Sequence, residues 1–501
     1  MRTSRVLLVG LMGSILGSCG GGGGNGGGGP LIGGSGFTPG VFAASTTFEA
    51  RCAAPRTGSD PQGRPWPDQL GTALDEKNWL RSWTHELYLW YREVTDRDPA
   101  AFTVLDYFDQ LKTNAVTASG QPKDRFHFTL PTNEWLQESE SGTSAGYGLQ
   151  WAVLSGTPPR ELRVAYIEPG PTSPAAAVNL ARGARVLAID GIDLVNTNVS
   201  TEIDRLNDAL APVAVGQSHS FTVQDPGGGP QRTVPMTSAN VTSTPVQSVR
   251  TIATASGPVG YLLFNDHIAT SEAGLVNAIT TLRDAGVVDL VLDLRYNGGG
   301  FLDIASELAF MIAGSARTSG RTFELLQFND QHATRDPVTG APLAPLPFHS
   351  TAEGFSVADG TPLPALNLGR VYIITGGGTC SASESIINSL RGVDVEVIQV
   401  GSTTCGKPYG FSPVEACGKV FSAVNFKAVN AAGQADYETG ITPTCAVADD
   451  FSGRFGDPAE TLTAAALSYL QTGSCPATAA QPQRLRRAGA EPGERRGMTA
   501  N

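Results

Sequence analysis

The C-terminal half of the chain alternates apolar runs of strand length with stretches of helical pattern, and this alternation constrains its fold most strongly. The run 288–294 is mostly apolar, which is typical of a strand buried on both faces. The alternation predicts a multidomain α/β protein whose functional residues lie on the loops after the strands. The predicted strands are 259–264, 288–294, 371–375 and 395–401, and the predicted helices are 271–285, 301–312 and one that begins at Ser381.

Two of these loops bring together a serine and a lysine. Ser381 lies at the start of a helix, and Lys407 follows the next strand. A serine hydroxyl needs a base to take its proton, and a lysine can act as that base when burial lowers its pKa. The N–H of Ala382, at the unpaired end of the helix, is a candidate donor to an oxyanion. Glycines of the turn 298–300, after the preceding strand, are candidates for the second donor.

Each feature also has an ordinary structural explanation. A serine at a helix start is commonly a cap, a glycine triplet is commonly a turn, and a lysine beside glycine and proline is commonly solvated. A rival serine, Ser144, fits a Gly-x-Ser-x-Gly pattern, but polar residues precede it and a strand is predicted after it, so we expect a plain loop there. No His-Glu-x-x-His spacing occurs among the six histidines, His85, His127, His219, His267, His332 and His349.

Composition narrows the function further. A chain of 501 residues with 41% hydrophobic residues has room for about three domains. The net charge of −12 argues against a nucleic-acid partner, because phosphate binding needs a basic face. We expect no cofactor, and the absence of a Cys-x-x-Cys spacing argues against zinc.

The first residues have the pattern of an export signal. Arg2 and Arg5 precede an apolar run, 6–16, that is too short to span a bilayer. The residues up to Cys19 resemble a bacterial lipobox, which implies a lipid-modified cysteine and a membrane-anchored lipoprotein of the cell envelope, facing the periplasm. Gly20 favours the outer membrane if the host is Gram-negative. An ordinary secretory signal cleaved nearby is the alternative.

The remaining cysteines suit an oxidising compartment. Six cysteines allow up to three disulfides in 15 possible pairings. Cys380 and Cys405 flank the two candidate catalytic residues, and a disulfide between them would tie the two loops together. A pair between Cys405 and Cys417 across a hairpin is equally consistent with the sequence. The six are Cys52, Cys380, Cys405, Cys417, Cys445 and Cys475.

Before the α/β region, the pattern changes twice. Aromatic and leucine residues recur at helical spacing within 71–115, which predicts amphipathic helices, with a second short helix at 106–111. From residue 147 short strands follow, and 183–191 resembles the PDZ signature, with a groove helix at 199–209; PDZ domains bind the C-termini of other proteins by strand addition. An unrelated small β domain is the alternative. The predicted segments are a signal peptide 1–19, a glycine-rich tether 20–45, a helical domain 46–140, a PDZ-like domain 141–245, a catalytic domain 246–475 and a disordered tail 476–501.

Three motifs in order resemble peptidase family S41, the C-terminal processing or tail-specific proteases. They are Asp293-Leu294-Arg295-Tyr296-Asn297-Gly298-Gly299-Gly300, Thr379-Cys380-Ser381-Ala382-Ser383-Glu384, and the segment from Gly401 to Lys407. The resemblance implies a ClpP/crotonase-like α/β core with Ser381 as nucleophile and Lys407 as general base. It further implies an auxiliary role for Glu384, whose alternative is a favourable charge at the helix start, and an oxyanion hole built from Ala382 with Gly299 and Gly300.

One position departs from the family pattern. Many members carry a glutamine four residues after the lysine, where this protein has Phe411, so the orientation of Lys407 must come from elsewhere, such as Glu384 or a backbone carbonyl. The sequence as a whole predicts an exported, lipid-anchored serine endopeptidase that cleaves unfolded or C-terminally recognised proteins. A non-catalytic module that binds apolar ligands or proteins on the same fold is the alternative.

Overall fold

The computed structural model describes residues 37–60, 63–117, 119–476 and 486–488. The signal peptide, Cys19 and most of the tether, together with 477–485 and 489–501 of the predicted tail, lie outside the described residues. The α-helices are Ala73–Leu87, Val104–Gln110, Thr132–Leu136, Pro174–Ala177, Ser200–Leu210, Ser271–Asp284, Leu302–Ala313, Ser315–Thr318, Ala382–Arg391 and Thr461–Thr472. Short 3-10 helices are Ser45–Thr47, Tyr91–Glu93, Pro99–Ala101 and Asp330–His332, and Gln137–Ser141 is a π-helix.

The described residues divide into two compact units. The first unit contains residues 37–129, 328–341 and 411–425, and the second contains 130–327, 342–410, 426–476 and 486–488. Two pieces of the first unit, 328–341 and 411–425, come from within the span predicted for the catalytic domain.

The first unit is built around the helix Ala73–Leu87. Thr72 begins it as a capping box, in which Thr72 Oγ1 accepts from the Asp75 N–H and the Asp75 carboxylate accepts from the Thr72 N–H. The helix buries Trp79, Leu80 and Trp83, as the helical spacing of these residues predicts. It ends at Leu87 because Tyr88 is extended and its hydroxyl donates to the buried Asp124 at 2.6 Å. The region predicted as helical, 71–115, contains two α-helices, the second being Val104–Gln110, with two short 3-10 helices between them. Short strands complete the unit: Arg51–Cys52 with Gln69–Leu70, and Val414–Ala416 with Lys419–Ser422.

The second unit contains the predicted α/β sheet. Its strands Val246–Thr254 and Gly257–Phe264 are antiparallel to each other, and every further neighbouring pair is parallel. Leu262 lies opposite Leu292, and Leu292 lies opposite Ile373. In spatial order the strands are Val246–Thr254, Gly257–Phe264, Asp289–Asp293, Arg370–Thr375, Glu396–Gly401 and Cys445–Ala446. A second sheet of this unit has the order Leu346–Pro347, Thr322–Gln327, Phe426–Val429 and Tyr409–Gly410.

Apolar side chains cover both faces of the central strands, which explains their nearly continuous hydrophobicity. On one face Leu290, Leu292 and Ile373 pack in the core that includes the helices Ser271–Asp284, Leu302–Ala313 and Ala382–Arg391. On the other face the sheet packs against the helix Thr461–Thr472, through residues that include Tyr261, Val291, Ile374 and Leu462. Because helices cover both faces of the sheet, a functional site is expected at the carboxyl edge of its parallel strands.

A separate β sheet with its own core follows the prediction of short strands after residue 147. Its helix Ser200–Leu210 buries Ile203 and Leu206 against the strands. The spatial strand order is Gln231–Thr237, Ser218–Gln224, Arg185–Ile189, Glu161–Ile167, Leu149–Ser155 and Arg486–Ala488, and Ile192–Asp193 pairs with Arg185–Ile189. The strand Arg486–Ala488 lies within the segment predicted as a disordered tail. Thr143–Gly146 and Ala239–Thr242 form a further antiparallel pair, and Phe128–Pro131 is the remaining strand.

A buried ionic network fixes the loop that leaves the strand Asp289–Asp293. The Arg295 guanidinium, 1% exposed, donates to Asp293 Oδ2 at 2.7 Å and to Glu460 Oε1 at 2.7 Å. Arg182 donates to Asp449 Oδ1 at 2.5 Å. Burial alone would raise the pKa of Asp449, but Arg182 and Arg295 hold it well below its usual range. Two arginines thus offset most of the charge of three carboxylates inside the second unit, and the Tyr296 hydroxyl donates a further hydrogen bond to Asp449.

Among the described residues, no helix combines the length and the apolar character needed to cross a bilayer.

Glu324 gives the fold a testable pH dependence. Burial raises the pKa of Glu324 from an ordinary value of 4.5 to about 7. The folded protein therefore keeps a proton that the unfolded chain loses above pH 4.5, so this group lowers the free energy of unfolding as the pH rises from 4.5 through 7. We expect Glu324→Gln to flatten the fall in Tm between pH 5 and pH 8, as measured by thermal melts. The exposed Asp284→Asn should leave that fall unchanged, and an equally steep fall in both variants would contradict the assignment.

Candidate active site

Ser381 occupies a strained turn between a strand and a helix. It follows the strand Arg370–Thr375 and directly precedes the helix Ala382–Arg391, with φ +54° and ψ −121°. A residue other than glycine in this conformation costs about 1–3 kcal/mol and is found where function needs it. A sharp strand-to-helix turn of this kind presents a serine hydroxyl at the edge of a sheet. Ser381 is half-buried, whereas Ala382, the first helical residue, is fully buried and its N–H has no acceptor inside the helix.

The turn before Ser381 is fixed by Thr379. Its hydroxyl donates to the Leu294 carbonyl at 2.8 Å and accepts from the Gly376 N–H at 2.9 Å. A Cβ at Gly376 would lie 2.6 Å from the Arg295 carbonyl oxygen, so only glycine fits there. The loops after two neighbouring parallel strands are thereby joined, as predicted from their positions in the sequence.

The glycine turn lies directly against the serine. A Cβ at Gly299, where φ is +103°, would come within 2.8 Å of Ser381 Cβ and 3.0 Å of the Ala382 nitrogen. A Cβ at Gly300, where φ is +135°, would come within 2.4 Å of the His267 carbonyl oxygen. The Gly299 N–H donates to Asn297 Oδ1 at 2.9 Å. The backbone of this turn is thus close enough to Ser381 to border the same reacting group.

Asn297 connects the glycine turn to the serine turn. Its carbonyl oxygen accepts from the Cys380 N–H and from the Ser383 hydroxyl, each at 3.1 Å. Its side-chain Nδ2 donates to the Phe264 carbonyl at 3.0 Å. One buried residue therefore binds the backbone before Ser381 and a side-chain hydroxyl after it.

Glu384 joins the serine helix to the lysine loop. Its fully buried carboxylate accepts from the N–H groups of Ser381 at 3.1 Å, Gly406 at 2.8 Å and Lys407 at 2.8 Å. The Thr404 hydroxyl donates to it at 2.5 Å. Burial raises the pKa of Glu384, and the hydrogen bonds from Thr404 and the backbone oppose that rise. Glu384 thus contacts both Ser381 and Lys407 through their backbone N–H groups.

A disulfide reinforces the same connection. Cys380 and Cys405 are bonded, with Cα atoms 5.2 Å apart, and the Cys405 N–H donates to the Thr379 carbonyl at 2.9 Å. Lys407 follows two residues later and is 5% exposed. The structure therefore brings Ser381, Ala382, Glu384, Lys407 and the glycine turn to one edge of the sheet.

The other disulfides settle the pairings that the sequence left open. Cys405 pairs with Cys380 and not with Cys417; the remaining bonds are Cys52–Cys417 in the first unit and Cys445–Cys475 in the second. Of the described residues, one group of potential metal ligands lies within 4.8 Å, namely Cys380, Glu384 and Cys405. Two of its three ligand atoms are the bonded sulfurs, which are not available as thiolates.

Other candidate residues lie elsewhere. Ser144 is exposed on the strand Thr143–Gly146, opposite Val241, and no helix follows it, so the Gly-x-Ser-x-Gly pattern is part of a strand pair where we predicted a plain loop. Phe411 belongs to the first unit, where its ring centroid lies 5.4 Å from that of Phe128.

Sequence reasoning missed three buried polar residues at the site. Asn297 was noted only as part of a motif, and neither Thr404 nor His267 was singled out. Thr404 precedes the conspicuous Cys405 and Lys407, and a hydroxyl three residues before a candidate base is a weak signal that could have drawn attention to it. His267 carried no such signal, because nothing in its neighbours indicates that it meets the glycine turn.

Fold and site together define an α/β protein in which a strained serine heads a helix beside a buried lysine. Residues 258–447 match the model of peptidase family S41, so the protein contains an S41 domain, as the three motifs predicted. It is 29% identical over 225 residues to a carboxyl-terminal-processing protease of Picosynechococcus, covering 45% of this chain and 52% of that one. It is 25% identical over 283 residues to a chloroplastic C-terminal processing peptidase of Tetradesmus obliquus, covering 54% and 53%. The matches thus span about half the length of these curated relatives.

A solved structure shows the same fold. A putative S41 protease from Bacteroides fragilis superposes with a TM-score of 0.58 at 24% identity, covering 82% of this chain and 100% of that chain. The predicted multidomain α/β fold is confirmed by this similarity.

The role of Glu384 predicts a specific loss of stability. In Glu384→Gln an amide NH₂ would replace one of the oxygens that accept hydrogen bonds, so a donor would face donors in a buried position. We expect the free energy of unfolding to fall by about 2–3 kcal/mol, measured by denaturant titration. Glu396→Gln, an exposed change in the next strand, is the control and should have little effect. Equal stability of the Glu384 variant and the wild type would show that the carboxylate does not hold the lysine loop.

Proposed function

We propose that the protein is a serine-type peptidase that uses a Ser381–Lys407 dyad. The observation that carries this proposal is the strained Ser381, tied through Glu384 and the Cys380–Cys405 bond to the loop of the buried Lys407. Backbone strain of this kind clusters at active sites and ligand clamps, and the buried lysine on the joined loop favours an active site. The match to an S41 domain supports the same reaction class.

The mechanism follows from these positions. The Lys407 amine, shielded from bulk water, accepts the proton of the Ser381 hydroxyl as its oxygen attacks a peptide carbonyl. The tetrahedral intermediate collapses to a Ser381 ester while the lysine returns the proton to the departing amine. Water, deprotonated by the same amine, then attacks the ester carbonyl. The bond to Ser381 Oγ breaks, the lysine returns the proton to that oxygen, and the second product leaves as a carboxylic acid.

The oxyanion is stabilised by backbone donors. The Ala382 N–H, unpaired within its helix, is the first donor, and the glycine turn supplies the second from Gly299 or Gly300. The Gly299 N–H already donates to Asn297 Oδ1. An oxyanion bound at Gly299 would therefore share this N–H with the Asn297 side-chain oxygen.

The substrates proposed are unfolded proteins or proteins recognised at their C-termini. Two relatives are named as processing proteases of carboxyl termini. The β sheet with the helix Ser200–Leu210 lies in the segment that the sequence predicts as PDZ-like. As a PDZ-like domain it would take the C-terminus of a substrate by strand addition.

The dyad is tested by removing each partner. Ser381→Ala and Lys407→Ala should each lower casein hydrolysis by about 10³-fold or more, because the two groups act as one unit and either loss disables it. Ser319→Ala, an exposed serine of the same unit, is the matched control and should keep full activity. Hydrolysis that persists in pure Ser381→Ala would contradict the proposal, and a wild type that is inactive but binds apolar ligands would favour the binding module.

We also propose that Cys19 carries a lipid that anchors the protein in the cell envelope, facing the periplasm and on the outer membrane in a Gram-negative host. An apolar run followed by Cys19 and a glycine-rich tether supports this. When it is made in its native host cells, the wild-type protein should partition into the detergent phase of Triton X-114 and incorporate labelled palmitate. Cys19→Ser should move to the aqueous phase without label. A Cys19→Ser protein that still partitions into detergent would contradict lipid anchoring at this residue.

A further inference from the structure

His267 lies at the catalytic edge but has no role in the dyad mechanism. It follows the strand Gly257–Phe264 and is fully buried. Its backbone holds both sides of Gly300: the His267 N–H donates to the Gly299 carbonyl at 3.1 Å, and the His267 carbonyl accepts from the Phe301 N–H at 2.9 Å. The glycine turn is thus paired with residue 267 like a short parallel strand.

The imidazole ring of His267 also contacts this turn, through the side chain of Asn297. His267 Nδ1 lies 2.9 Å from Asn297 Oδ1. The orientation of the Asn297 amide is set by two backbone partners, because its Nδ2 donates to the Phe264 carbonyl and its Oδ1 accepts from the Gly299 N–H. An oxygen cannot donate, so His267 must carry its proton on Nδ1.

The other ring nitrogen has an unusual position. Among the described residues, no group forms a hydrogen bond with the buried Nε2 of His267. Burial lowers the pKa of His267 to about 4, so the ring is neutral at neutral pH. A buried nitrogen without a partner is unfavourable, and a phenylalanine would fill the same space without that cost. The histidine therefore contributes something through Nδ1 that an apolar ring could not.

We propose that His267 is a positioning residue for the oxyanion-binding turn, acting through the Nδ1–H bond to Asn297. Asn297 in turn holds Gly299 on one side and both Cys380 and Ser383 on the other. Loss of the Nδ1 donor leaves the Asn297 amide with its two backbone partners alone, so the amide is held less firmly and the glycine turn is less precisely aligned with Ser381. This inference rests on the proposed peptidase function and adds to it a residue that touches no substrate.

The two nitrogens can be separated by substitution. Asparagine places an amide nitrogen at the δ position of the ring, and glutamine places one at the ε position. We expect His267→Phe and His267→Gln to lower kcat for peptide hydrolysis by about 10- to 100-fold with KM unchanged within about twofold. We expect His267→Asn to restore kcat to within a few-fold of the wild type. Equal kcat in the Phe and Asn variants, or rescue by Gln instead of Asn, would overturn the proposal.

A measurement that requires no enzymatic activity tests the role of His267 independently of the Ser381–Lys407 dyad. In ¹⁵N-histidine-labelled full-length Ser381→Ala protein, the signals that disappear in the His267→Asn form belong to His267. They should show a neutral ring with its proton on Nδ1, and a proton on Nε2 would overturn the inference. If the wild type hydrolyses peptides and Ser381→Ala does not, yet His267→Phe keeps full kcat, the dyad stands and the role of His267 fails.

Discussion

The buried charges around Arg295 are the constraint on which the site depends. This side chain lies between Asp293, at the end of a central strand, and Glu460, at the start of the helix Thr461–Thr472. Removing one partner of such a buried pair costs about 3–5 kcal/mol, because the remaining charge is left without compensation. The glycine turn begins shortly after Arg295, so its first residues leave the sheet from a fixed point.

The same network extends to the smaller β sheet. Arg182, on the loop before the strand Arg185–Ile189, donates to Asp449 and to the Tyr296 hydroxyl, which itself donates to Asp449 at 2.5 Å. Tyr296 is the neighbour of Asn297, the residue that holds the serine turn. These hydrogen bonds, the peptide bond between Tyr296 and Asn297, and the bond from the Cys380 N–H to the Asn297 carbonyl together connect the β sheet to the backbone beside Ser381, within the second unit.

Much of the fold was predictable because local sequence patterns determine its strands and turns. Apolar runs gave the central strands, and three short motifs gave Ser381, Lys407 and the glycine turn, since loops after adjacent parallel strands meet at one edge. The roles of Thr404 and His267 were not predictable, because their partners lie 20 and 30 residues away in sequence and only the folded backbone brings them together. The first unit shows the same limit, since it recruits 328–341 and 411–425 from far along the sequence. Sequence spacing also left the disulfide pairing open, because two partners for Cys405 were equally consistent with it.

The bond between Cys380 and Cys405 has a consequence for when the site is complete. Before it forms, the serine turn and the lysine loop are joined by hydrogen bonds alone, chiefly those of Glu384 and the Cys405 N–H. Disulfides of this kind close in oxidising surroundings and stay open where thiols are kept reduced. Where thiols are kept reduced, the protein would thus carry every residue of its site while lacking the covalent link between the two loops, and transfer to oxidising surroundings would complete the assembly.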